Sequence, residues 1–130
     1  MKRRNILCIA ILMFASGVPF AKAAPNEDLK DFIVYFRSVR TPAVLALCTP
    51  VVVDKDQFSA TANNWLDTNG DTISRGKKVA LSRVANEQML DEANSKMLTD
   101  VKSSFERSDA KEKTRFCADA YDRYQAPKKQ

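Results

Sequence analysis

Apolar residues recur at three- and four-residue intervals along most of this chain, the spacing of helices that each bury one stripe. Asn26 is placed to cap the first such stretch, with Glu27 and Asp28 in a first turn whose dipole favours negative charge. Leu29, Phe32, Ile33, Phe36 and Val39 form its stripe, and Arg37 and Arg40 fall towards the end that favours positive charge. Thr41-Pro42 predicts a stop and a restart, with threonine as cap and proline at the first helical position. The second piece, residues 42–48, is short and almost wholly apolar, so it is expected inside. Thr49-Pro50 repeats the punctuation. Val51, Val52 and Val53 favour a strand locally, but no partner strand is in sight, and the run reads as an extended connection or a buried turn of helix.

A third helix is predicted from Asp54, carrying Phe58, Ala62, Trp65 and Leu66 on one face. Asn69-Gly70 is a strong turn signal, yet the same face continues through Ile73 and Gly76, so a stop and a run-through both fit. From Lys77 to Ala126 there is neither glycine nor proline. Leu81, Val84, Ala85, Met89, Ala93, Met97, Val101 and Phe105 keep helical period, which predicts one long helix of about eight turns. Asp109 and Glu112 stand at capping-box spacing and open a last helix that buries Phe116, Cys117, Ala120 and Tyr124 before Pro127 ends it. The expected fold is all-α, a small antiparallel bundle of four to five helices over residues 24–126, with residues 127–130 as a flexible tail.

The N-terminus changes how the rest is weighed. Lys2, Arg3 and Arg4 precede an apolar run from Ile6 to Phe14, and Ala21-Lys22-Ala23 has the small-x-small form a signal peptidase cuts after. Residues 1–23 are therefore expected to be a Sec-type signal peptide that directs the chain to the periplasm or outside the cell. The run is too short for a permanent anchor, since a bilayer core needs about 20 residues. Arg3-Arg4 departs from a twin-arginine signal in its short n-region, and Cys8 lacks the small residues that precede a lipidated cysteine.

Cleavage removes Lys2, Arg3, Arg4 and Lys22 and no acidic residue, so the +5 net charge of the whole chain falls to +1. Nucleic-acid binding then has no clustered basic excess to rest on. Cleavage also removes Cys8 and leaves Cys48 and Cys117. In an oxidising compartment two remaining cysteines most simply pair; a redox pair usually shows Cys-x-x-Cys spacing, and a metal site wants more ligands in a chain without histidine. Closing a loop of about 70 residues is worth about 4 kcal/mol on the loop-entropy model. The bundle is thus expected to be clamped by one disulfide.

Chemistry is sparsely supplied. The commonest general base is absent with histidine, the three glycines build no phosphate loop, and Ser59, Ser74 and Ser82 have only ordinary charged neighbours. No catalytic residue, metal ligand or cofactor is expected, and the chain reads as a non-enzyme. Asp67-Thr68-Asn69-Gly70-Asp71 opens like a calcium loop, but Thr72 stands where glycine belongs and Lys78 where a bidentate glutamate belongs. Residues suited to a partner surface are Trp65, Asn69, Tyr121, Arg123 and Tyr124, against the plainer reading that Trp65 and the tyrosines complete the core.

Leu47-Cys48, Trp65-x3-Asn69-x3-Ile73-x2-Gly76 and Phe116-Cys117 together resemble a pattern of small exported proteobacterial proteins. That resemblance implies export, helices and the disulfide. In size and layout the chain also looks like helical periplasmic immunity proteins, which neutralise toxins from rival or sibling cells. The expected function is accordingly a non-catalytic periplasmic binding protein, an immunity protein or inhibitor whose partner is a toxin or hydrolase. One alternative is an acid-stress chaperone, since neutralising 16 carboxylates would leave a chain of about +17 able to open. Another is a small-ligand or lipid-binding bundle with a pocket lined by Met89, Met97 and Phe105.

Overall fold

The computed structural model describes residues 25–126, so the expected signal segment and the 127–130 tail lie outside the described residues. Five helices follow in order: α1 Pro25–Cys48, α2 Lys55–Thr68, α3 Gly70–Leu81, α4 Glu87–Arg107 and α5 Ala110–Gln125. They form an antiparallel all-α bundle, and the Cys48–Cys117 disulfide joins the end of α1 to α5.

α1 departs from expectation at both ends. It opens at Pro25, so Asn26 lies within the first turn instead of capping it. It then runs through Pro42 without stopping. A proline inside a helix costs about 3 kcal/mol through its missing N–H and its crowded ring. Two observations explain why the helix survives. The Pro42 ring lies exposed, so it displaces no core contact. Beyond the proline, Val44 and Cys48 are buried, so ending the helix at Thr41 would give up the contacts of its last two turns. The valine run after it is a turn, with the amides of Val51 and Val52 both donating to the Cys48 carbonyl.

Asp54 caps α2 by accepting from the Gln57 amide at 2.8 Å, and Phe58, Ala62 and Trp65 face inward as the spacing predicts. Asn69 alone separates α2 from α3. The Ile73 amide still donates to the Asn69 carbonyl, so the face turns without being lost. The single long helix expected over 81–105 is in fact two. α3 ends at Leu81, and Asn86 begins α4 by accepting from the Met89 amide at 2.9 Å. At the start of α4 the buried position moves by one, with Leu90 buried while Met89 is 48 % exposed, and by Met97, Val101 and Phe105 the expected period is regained. Asp109 and Glu112 make the full capping box of α5.

Two clusters of buried side chains result. One surrounds the disulfide with Phe58, Trp65, Phe105, Ala120 and Tyr124; the other gathers Tyr35, Ala80 and Leu90. α1 and α3 approach closely because Gly76 carries no side chain: a Cβ there would collide with the Asp31 carbonyl oxygen and lie 2.7 Å from Tyr35 Cβ. Arg75 adds an ion pair to Asp31 at 2.8 Å, exposed and so worth little by itself. α4 is held at its ends, by Leu90 near Tyr35 and by Phe105 against Phe116 with ring centroids 5.4 Å apart. Asn94 adds a hydrogen bond to the Tyr35 hydroxyl at 2.9 Å, and beyond it, around Met97, α4 stands off from α1 and α5.

Candidate functional site

That stand-off leaves a half-open groove of about 260 Å³ between α1, α4 and α5. Because α1 is continuous, Phe32, Phe36, Arg37, Arg40 and Val44 fall along one of its sides at helical spacing. α5 contributes Phe116, Ala120, Arg123 and Tyr124, and α4 contributes Met97. The walls are apolar, and three guanidinium groups share them.

Among the described residues those arginines form no ion pair with a carboxylate. The ion pairs among the described residues are Arg75–Asp31, Lys77–Glu87 and Lys102–Glu106, and none involves Arg37, Arg40 or Arg123. Burial, followed by the charge of Arg123 and then that of Arg40, pulls the Arg37 guanidinium below the usual arginine range, although it stays protonated. Arg37 also lies over the Trp65 ring, 5.5 Å from its centroid. The Arg40 Nε is buried and makes no hydrogen bond. Like charges gathered in an apolar hollow oppose folding, and no ion pair among the described residues offsets them.

Tyr124 fixes the floor. Its hydroxyl donates to Thr41 Oγ1 at 3.1 Å, and Thr41 in turn donates to the Arg37 carbonyl, a buried relay that joins α5 to α1. Burial raises the Tyr124 phenol above its ordinary 10.0, against the opposing pull of the Thr41 hydrogen bond and the three arginines. A raised folded value means that the stability contribution is whole below pH 10 and is lost as pH rises through the folded value. Tyr124→Phe is expected to remove that part of the alkaline loss and to cost about 1 kcal/mol at neutral pH, the net worth of one hydrogen bond. Urea midpoints of both proteins at pH 8 and pH 11 measure it.

The residues singled out from sequence separate into three places. Tyr124 and Arg123 line the groove. Tyr121 is half-buried outside it, stacked on Phe58 with centroids 5.9 Å apart. Trp65, 5 % exposed, and Asn69 are core: the Asn69 amide donates to the Trp65 carbonyl at 2.7 Å and joins α2 to α3. The stretch from Asp67 to Asp71 is that helix junction. Met89, Met97 and Phe105 share no pocket, because Met89 faces outward and Phe105 is buried beneath Phe116, leaving Met97 alone in the groove.

From their position in the sequence Arg37 and Arg40 are expected only as dipole partners at a helix end. With α1 running to Cys48 they lie in mid-helix, where that role does not exist. A signal was available. The positions three and four away hold Ile33, Val34 and Thr41 for Arg37, Phe36, Ala43 and Val44 for Arg40, and otherwise only the other arginine, so neither has an intrahelical ion pair. Comparison with protein-family models, with curated proteins and with solved structures finds no match to this chain.

Proposed function

We propose that the chain acts outside the cytoplasm as a non-catalytic binding protein that neutralises a toxin or hydrolase by direct contact, in the manner of an immunity protein or inhibitor. The observation that carries this reading is the groove, with three arginines and a tyrosine in an apolar hollow and no ion pair to any of the arginines among the described residues. Arginine and tyrosine are the residue types on which protein interfaces most often concentrate their affinity. A scaffold clamped by a disulfide presents such a surface with little left to order on binding. The disulfide also suits an oxidising compartment, and no helix among the described residues is long and apolar enough to cross a membrane.

The test is photo-crosslinking in the native host, with the crosslinker at Ile33 on the groove's lip and, as control, at Lys55 on α2. A stoichiometric protein adduct from position 33 and none from position 55 is the expected result. Absence of any adduct across growth conditions would reject the reading.

A further inference from the structure

We infer that the groove receives a carboxylate carried beside a bulky apolar side chain, on an acidic-apolar segment of the partner protein, with Arg37, Arg40 and Arg123 as its donors. The inference rests on the protein-binding reading and adds the chemistry of what is bound.

Each guanidinium offers donors and no acceptor, so three of them around one hollow call for an anion. The Arg40 Nε makes the demand specific, because a donor removed from water and left unbonded is costly until an occupant supplies an acceptor. Carboxylates stand nearby without pairing: Asp100 lines an adjoining hollow with Arg40 and Lys96, and Asp119 lies four residues before Arg123 on α5, yet neither forms an ion pair with these cations. The walls set the rest of the ligand. Phe32, Phe36, Met97 and Phe116 would stay wetted under a bare inorganic anion, so the acid must bring apolar surface with it.

Size points the same way. An apolar cavity of about 150 Å³ holds benzene, and this groove of about 260 Å³ has room for one ring or branched side chain with an acid beside it. A free fatty acid also joins a carboxylate to an apolar body. The groove is half-open, however, and its lip carries Ile33 at 49 % exposure, with Leu29 at 48 % one turn earlier on α1. That apolar margin on the open side fits a polypeptide lying across it better than a single buried acyl chain.

The capped peptide acetyl-Phe-Glu-Leu-amide tests this, with its glutamine counterpart, dodecanoate and inorganic phosphate as comparisons. Amide chemical shifts along α1, α4 and α5 locate binding, and fluorescence of Trp65, the sole tryptophan, reports on Arg37 above it. The glutamate peptide is expected to bind saturably and the glutamine peptide at least about tenfold more weakly, as loss of a charged hydrogen bond implies. Arg40→Gln and the exposed Arg123→Gln, each checked for unchanged helicity, should weaken the glutamate peptide by a similar factor, and Lys102→Gln on α4 should not. Equal binding of the two peptides, phosphate binding as well as the peptide, dodecanoate binding more than about tenfold tighter, or no saturation by roughly 10 mM would each overturn the inference. If a crosslinked partner binds Arg40→Gln and Arg123→Gln undiminished, this inference fails and the protein-binding reading stands. If the peptide binds as expected but no partner is ever captured, the groove's preference for an acid beside an apolar side chain stands, and its assignment to a partner protein fails with the protein-binding reading.

Discussion

Gly76→Ala should destabilise the bundle by about 3 kcal/mol or more, although alanine is the better helix former by about 1 kcal/mol. The added methyl would meet the Asp31 carbonyl oxygen and carbon and Tyr35 Cβ, so the obstacle is α1 backbone and the root of a buried side chain, neither of which can swing aside. Relief requires α1 and α3 to separate, which opens the contacts of Tyr35 with Ala80 and Leu90. Gly70 supplies the control. It has no neighbour within 4 Å of an added Cβ and a negative φ, so Gly70→Ala should be neutral or stabilising by up to about 1 kcal/mol. Urea unfolding of the two variants should move the midpoint in opposite directions or leave Gly70→Ala unmoved; equal losses would show that close approach is not what glycine provides at position 76.

Removing the disulfide is expected to have an effect at least as large. Cys48 and Cys117 are 69 residues apart, and opening a loop of that length restores about 4 kcal/mol of chain entropy to the unfolded state. For a domain of this size that is a large part of a total stability of about 5–15 kcal/mol. Both cysteines are buried, 0 % and 1 % exposed, so the double substitution Cys48→Ala, Cys117→Ala also leaves the surrounding packing short of two sulfur atoms. The urea midpoint should fall by more than about 1 M, and production in a reducing compartment should give largely unfolded chain. An unchanged midpoint under reductant would mean that the bundle holds without the clamp.

How far the sequence was legible depended on whether the deciding force was local. The start of a helix at Asp54, the capping box of Asp109 and Glu112, the inward faces of α2 and α5 and the pairing of the cysteines all follow from near-neighbour chemistry or from simple counting, and they stand as expected. Thr41-Pro42 misled because its punctuation is local while the force that carries α1 past it is tertiary, the burial of Thr41, Val44 and Cys48. The break between α3 and α4 was hidden for the opposite reason. It uses no glycine or proline, and Leu81, Val84 and Leu90 pack against one cluster from both sides of it, which preserves an apparent period across a gap. Asn86 followed by Glu87 was the available start signal. The arginine groove inherited the first error. Once α1 is cut at residue 41, Arg40 and Val44 belong to different helices, and the side they share cannot be seen.

The division of the interior into two clusters has a dynamic consequence. Ile73 is the residue that packs against both, and it is itself only half-buried. The disulfide secures one cluster and leaves the other, around Tyr35, Ala80 and Leu90, tied by α1 and the sparse hold of α4. Opening of α4 away from the closely packed α1–α3 pair is therefore the cheaper excursion, and its amides should exchange with solvent well before those near Cys117. The groove spans this divide: Phe32 and Phe36 belong with the looser cluster, Val44, Phe116 and Tyr124 with the clamped one. Whatever fills it stitches two separately breathing halves into a single cooperative unit, so the slowing of exchange around Leu90, remote from the crosslink, becomes a direct gauge of occupancy.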